Sequence, residues 1–287
     1  MYFPASELVL DKKNKVYHLG IGPKDISETV ILVGDQDRVE LISAFFDEIT
    51  FMHQHREFVT HTGIFNGKKI SVISTGIGTD NIDIVINELD ALINIDLDLR
   101  EEKAQKKSLN LIRIGTCGIL QASVPIHSFI LSQFALGLDN VAHFYELNFT
   151  AEENDLCKAI TDHINLPKEV IPYMVKASSS LVEKLDSEKV IKGITITSSG
   201  FYGPQGRQLN LKTKTQALNE RLTSFIQSEL KITNFEMESS ALFALGKGLG
   251  HNCATICLGI ANRPNMEFSK GYDKEMDDLI RYVLDRC

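Results

Sequence analysis

The stretch TVILVGDQDRVELISAFF (residues 29–46) decides the fold class. Its first five residues are mostly apolar and β-branched, which suits a strand buried on both faces. Gly34 ends the run, and from Asp37 to Phe46 the apolar side chains fall at helical spacing. A strand, a glycine turn and a helix make the half-unit of an α/β sheet. The same rhythm continues outward. KKISVIST (68–75) reads as a strand and is followed by a helix from about Asn81 to Ile93; LNLIRIGT (109–116) and IHSFILSQ (126–133) are further strands. Thr150 to His163 reads as a helix, with Thr150 as N-cap and Glu153 completing a capping box. IPYMVKA (171–177) and GITITSS (193–199) read as strands, and Lys214–Leu230 as a helix. EMESSALFALGKGLG (236–250) reads as a helix closed by glycine, ATICLGIA (254–261) as a strand, and Asp273–Asp285 as a last helix. No repeat, low-complexity tract or Pro/Gly-rich linker divides the chain, so residues 1–287 are expected to form one α/β domain. NIDLDLREEKAQKKS (94–108) breaks the rhythm with acids first and bases after, and reads as a solvated helix end and loop.

Composition narrows the function. A net charge of −8 argues against a nucleic-acid groove, which needs clustered Lys and Arg. No apolar run approaches the ~20 residues that span a bilayer, and the N-terminal MYFPASELVLDKKNKVYH is too charged for a signal peptide. The chain is therefore expected to be cytoplasmic. Its five cysteines, Cys117, Cys157, Cys253, Cys257 and Cys287, lack the spacing of a disulfide framework. Cys253 and Cys257 fall in a buried strand, where cysteine acts as a small hydrophobe and not as a metal ligand.

Glycines gather where strands end: GDQDR (34–38), TGIGTDN (75–81) and RIGTCG (113–118). In open α/β sheets ligands bind at the carboxyl ends of strands, where glycine lets backbone N–H groups approach an anion. TGIGTDN has Asn81 where a dinucleotide fingerprint needs its third glycine, so it reads as a tight turn and not as an NAD site. Arg38 and Arg113 join Gly34 and Thr116 in a set suited to phosphate: forked cations, a hydroxyl and a bare backbone. Either arginine alone reads as a structural ion pair; three glycine turns with two arginines favour an oxyanion site. His53, His55 and His61 suggest a metal, but FMHQHREF (51–58) offers no further ligand at suitable spacing and reads as a strand. No G-x-S-x-G nucleophile motif occurs. FYGPQGRQ (201–208) packs aromatics, glycines, Gln205 and Arg207 into a turn. In FEMESSA (235–241), Glu236 and Glu238 stand at a helix entrance, where they also suit the helix dipole without any further role.

Taken in order, YHLG (17–20), GDQDR (34–38), HREF (55–58), STGIG (74–78), RIGTCG (113–118), FYGPQGR (201–207), FEMES (235–239) and IANR (260–263) resemble the nucleoside phosphorylase-I family, most closely its uridine phosphorylases. The resemblance spans nearly the whole chain. It implies a central mixed, distorted barrel-like β-sheet flanked by helices, and phosphorolysis of uridine or deoxyuridine in pyrimidine salvage, with no organic cofactor and inorganic phosphate as co-substrate. By the same resemblance, phosphate is held by Gly34, Arg38, Arg113, Thr116 and, from the neighbouring subunit, Arg56. Ribose is held by Glu236, Met237, Glu238 and the neighbour's His18, and uracil by Phe201, Gln205, Arg207 and Arg263. Catalysis is implied for Arg113, Gln205, Arg207 and Glu238. A homo-oligomer with shared sites is implied, a dimer unit or a hexamer, with a monovalent cation such as K+ at Glu57, Ile70 and Ser74. A purine phosphorylase, a nucleosidase or a non-catalytic nucleoside-binding protein of the same fold are the alternatives. Against hydrolysis stand Arg38 and Arg113; against purines stands IANRPN (260–265), with Asn262 and Arg263 where the purine enzymes carry an aspartate. The chain departs from the family at Gln36, where proline is usual, at Cys117, often threonine, and in the Pro–Gly order of FYGPQGR. Residues 94–108 resemble an insertion.

Overall fold

The computed structural model describes residues 1–287. Strand β1 (Thr29–Val33) leads through Gly34 into helix α1 (Asp37–Ser43). The antiparallel strands β2 (Glu48–His55), β3 (Phe58–Phe65) and β4 (Lys68–Ser74) follow, then helix α2 (Thr79–Asn94). A small ribbon of β5 (Ile95–Asp96) and β6 (Glu101–Glu102) precedes the long strands β7 (Asn110–Ile119) and β8 (Phe129–Gly137). Next come α3 (Ala151–Ile164), β9 (Tyr173–Lys176), α4 (Ser179–Leu185) and β10 (Val190–Thr197). The chain ends with α5 (Leu218–Ser224), β11 (Ile226–Gln227), β12 (Leu230–Glu236), α6 (Ser239–Leu249), β13 (Asn252–Asn262), β14 (Glu267–Phe268) and α7 (Asp273–Leu284).

One mixed sheet organises these strands. β4, β1, β7 and β13 lie side by side in parallel, so their carboxyl ends share one edge. Beyond β13 the order runs through β8 and β10 to β12, and β12 pairs back onto β7 through Asn234↔Ile119 and Phe235↔Gly118. The five strands β7, β13, β8, β10 and β12 thus close into a barrel, as the family resemblance implies. Closure needs local bends, and register shifts fall at Gly193/Ile194 in β10 and at Gly259/Ala261 in β13. Apolar side chains fill both faces. Val30, Leu32, Ile82, Ile86, Leu242 and Leu245 pack on the α2/α6 side, and Ile31, Val33, Val39, Ile280 and Val283 on the α1/α7 side. Cys253 and Cys257 are buried free thiols on β13, as expected of a core strand. No helix is long and apolar enough to cross a membrane.

The capping box is present: Thr150 Oγ1 accepts from Glu153 N at 3.2 Å, and Thr150 N donates to Glu153 Oε2 at 2.7 Å. Two expectations need correction. The expected helix over 214–230 is only α5; Ser228, with φ +56°, turns the chain so that β11 and β12 pair as a hairpin. Residues 94–108 are more than a solvated loop. Their ribbon receives the N-terminus, with Phe3 N donating to Arg100 O at 2.8 Å and the Arg100 guanidinium donating to the carbonyls of Phe3 and Leu8. Lys103 Nζ meanwhile donates to Ile93 O at 3.0 Å, near the carbonyl end of α2.

Candidate active site

Barrel closure brings distant motifs to one place. Because β12 ends beside β7, the Glu236–Glu238 turn faces Arg113, and Gly34, Gly76 and Arg38 approach from the ends of β1 and β4 and from α1. Together they line a cleft of about 890 Å³. Of the residues singled out from sequence, the cleft takes in Gly34, Arg38, Glu57, Arg113, Thr116, Phe201, Gln205, Arg207, Glu236, Met237 and Glu238.

The cationic end holds Arg38 and Arg113. Arg38 is buried and has no carboxylate within ion-pair distance; burial first, and the like charge of Arg113 second, lower its pKa. Arg113 sits at the floor. An added Cβ on Gly115 would collide with its Nη1, so glycine there makes room for the guanidinium. Its Nη2 pairs with Glu238 Oε2, and its Nη1 lies 3.5 Å from Glu236 Oε2. Burial opposes its charge, but the two carboxylates outweigh burial and raise its pKa. Its Nε is buried with no acceptor. Thr116 opens onto the same end.

The two glutamates divide their work. Glu236 accepts from Thr197 Oγ1 at 2.5 Å, from Glu238 N at 3.0 Å and from Ser239 N at 3.0 Å, so its oxygens are taken up at the start of α6. The helix-entrance reading describes that residue. Glu238 turns instead into the cleft, accepting from Gly78 N at 2.8 Å and pairing with Arg113. Burial raises its pKa; Arg113 works against this and Glu236 adds to it.

At the other end, Arg207 donates from Nη1 to Phe201 O and to Gln205 Oε1, both at 2.6 Å, and its guanidinium stacks 3.7 Å from the Phe201 ring centre. Burial, then the charge of Arg263, bring its pKa down to about 10. Gln205 is buried, and its backbone oxygen accepts from Arg263 Nη2 at 3.3 Å. Arg263 therefore braces the 201–207 loop. Asn262 is fully buried and committed to Gln121 O at 3.1 Å and Val124 O at 2.7 Å.

Three groups are not gathered here. His18 and Arg56 lie outside this cleft. His18 Nδ1 bonds Glu88 Oε1 at 2.7 Å, and Arg56, at φ +56° in the turn between β2 and β3, stacks 5.4 Å from the Tyr17 ring. Tyr17 and His18 meet edge to face at 5.0 Å, so the three form one surface cluster. Ile70 and Ser74 stand four residues apart on β4, about 13 Å at strand rise. Ser74 Oγ is already used, accepting from Val59 N and donating to Glu57 O, both at 2.7 Å. Within one chain, Glu57, Ile70 and Ser74 are not one coordination set. Tyr272 and Phe268 line the cleft without having been singled out; Phe268 ends the two-residue strand β14 and Tyr272 precedes α7, segments too short for periodicity to mark them.

Residues 28–285 match the family model described as the phosphorylase superfamily. A uridine phosphorylase of Thermococcus kodakarensis is 31% identical over 95% of this chain and 87% of its own length. One from Haemophilus influenzae is 28% identical over 88% of both chains. The crystal structure of a Trypanosoma brucei nucleoside phosphorylase, described as showing uridine phosphorylase activity, superposes with a TM-score of 0.90 at 27% identity, covering 98% of this chain and 99% of that one. With seven of its eight motifs lining one cleft and its sequence matched from residue 28 to residue 285, the chain belongs to the phosphorylase superfamily.

Proposed function

We propose that the protein is a uridine phosphorylase, converting uridine and inorganic phosphate to uracil and ribose 1-phosphate, with deoxyuridine as a second substrate. The observation that carries this reading is Arg38, a buried cation with no acidic partner, facing the cleft beside a second arginine. Two guanidinium groups repelling each other in a buried site are relieved by a multivalent anion, and phosphate fits their forks. The relatives named uridine phosphorylase support the same substrate.

Phosphate held between Arg38, Arg113 and Thr116 attacks C1′ of the nucleoside. The C1′–N1 bond breaks with its electron pair leaving on uracil, and the sugar passes through an oxocarbenium-like state beside the phosphate anion. Glu238, fixed by Gly78 N and Arg113, accepts the ribose hydroxyls and sets the orientation of the sugar. Arg207 and Gln205 receive the charge that develops on the uracil carbonyls. Arg207 donates to Gln205 Oε1, so the oxygen of the amide is engaged and its N–H groups are the donors offered to a uracil carbonyl. In this reading His18, Glu236, Met237, Phe201 and Arg263 shape the sugar and base ends. Arg56 and His18 serve the neighbouring protomer of a homo-oligomer, and the cytoplasm is the working compartment, in keeping with five free thiols.

Purine nucleosides and cytidine are the weaker readings. Asn262 is tied to the 121–124 turn and offers the base nothing, while Arg207 presents a cation where cytosine would place an amino donor. A nucleoside panel assayed with and without phosphate tests the proposal. Uridine should be cleaved only with phosphate, and at least ~10³-fold better than cytidine. Comparable rates for cytidine, or a preference for inosine, would overturn it.

A further inference from the structure

Thr197 closes β10 and is fully buried. Its hydroxyl has two neighbours: Ser240 N donates to it at 3.0 Å, and it lies 2.5 Å from Glu236 Oε1. A hydroxyl has one proton, and an amide N–H cannot accept it, so the proton points at Glu236. This is a charge-assisted O–H···O⁻ bond, among the stronger contacts a side chain makes. The other oxygen, Oε2, accepts from Glu238 N and Ser239 N, both at 3.0 Å, with Ser239 N shared with Oε1 at 3.1 Å, and stands 3.5 Å from Arg113 Nη1. Glu236 is thus anchored at the start of α6, and its ion pair with Arg113, at 3.5 Å, is the looser of the two. Arg113 is left to pair with Glu238.

Two buried carboxylates compete for one guanidinium, and Thr197 biases the outcome. We propose that Thr197 is a positioning residue that keeps Glu236 from closing further on Arg113, so that Arg113 stays available to phosphate. Without the hydroxyl, Glu236 Oε1 loses its nearest donor, and the carboxylate makes up the loss by closing on Arg113 Nη1. Arg113 is then drawn toward the barrel wall and away from the phosphate end. The base loop takes no part, since Gln205 and Arg207 bond each other, Phe201 and Arg263 rather than Glu236. This inference rests on the phosphorylase reading.

The test compares Thr197→Val and Thr197→Ser with a control on the same strand. Thr195 is also fully buried, and its hydroxyl bonds Ser132 Oγ at 2.5 Å and Asn234 Oδ1 at 2.9 Å instead of Glu236. Thr197→Val is expected to lower kcat/KM for phosphate at least tenfold while uracil binding, measured by calorimetry, stays within twofold. Thr197→Ser should recover to within threefold, and Thr195→Val should lose Tm but keep kcat/KM within twofold. Should Thr197→Val fail to fold, Thr197→Ala carries the same expectation. The inference is overturned if Thr197→Val matches the parent, if uracil binding weakens in parallel, or if Thr195→Val is impaired as much. A parent enzyme that shows no phosphate dependence would instead overturn the phosphorylase reading.

Discussion

Arg113 and Glu238 form a buried ion pair at the seam where β12 closes the barrel onto β7. In the proposed function one belongs to the phosphate end and the other to the ribose end, so the pair joins the two halves of the reaction. An anion that draws on Arg113 loosens its hold on Glu238, and a sugar that occupies Glu238 frees Arg113.

Glu238→Gln should therefore act in opposite directions on the two substrates. Uridine kcat/KM should fall by about 10²-fold, because a charged acceptor to the sugar is lost. The KM for phosphate should hold or fall, because only Glu236, at 3.5 Å, then competes for Arg113. Steady-state kinetics with each substrate varied checks this; equal losses for both would contradict the coupling.

In the proposed function Arg38 serves phosphate at a cost in stability. Removing a buried cation with no acidic partner relieves desolvation and its repulsion with Arg113. Arg38→Met should raise Tm in phosphate-free buffer by a few degrees, about 1 kcal/mol, and raise the KM for phosphate at least ~10²-fold. Arg38→Lys should not rescue, since an ammonium lacks the fork. A lower Tm for Arg38→Met would show that Arg38 is structural.

Much of this was legible in the chain, for physical reasons that differ by element. TVILVG and ATICLGIA are continuous apolar runs, which only a core strand accommodates, and Thr150 with Glu153 announced its helix start. Lys214–Leu230 misled because its spacing suits a helix, whereas Ser228 adopts a left-handed turn that spacing does not encode. In the site, the glycine turns and arginines marked the anion end. The division between Glu236 and Glu238 was hidden, because it depends on which carboxylate meets Thr197 across a β10–β12 pairing. The closure that brings Glu238 to Arg113 is a contact between residues 125 positions apart.

Glu153 ties α3 to the sheet and to α6. It is buried and accepts from Thr150 N, Lys176 N and Lys247 Nζ, and though burial works against its charge, these partners hold its pKa below the usual 4.5. A lowered folded pKa contributes stability that is complete above 4.5 and is lost as pH falls below it. Glu153→Gln should cost about 2 kcal/mol at pH 7, and the gap in Tm from the parent should shrink as pH drops below about 4. A gap independent of pH would refute the charged role.

The surface cluster of Tyr17, His18 and Arg56 is proposed to complete a neighbour's site. Arg56→Ala and Arg207→Ala should each abolish activity. Their mixture, after subunit exchange, should regain up to about a quarter of the parent activity, since one site of a mixed dimer keeps both wild-type residues. Verified exchange with no recovery would place each site within a single protomer.

In the proposed reaction phosphate, and not water, attacks the sugar. Incubating the protein with uridine and phosphate and following the products by ³¹P NMR separates the two. A sugar phosphate ester should appear in step with uracil, one for one, and no uracil should form when phosphate is withheld. Uracil released with free ribose, at a rate indifferent to phosphate, would contradict it.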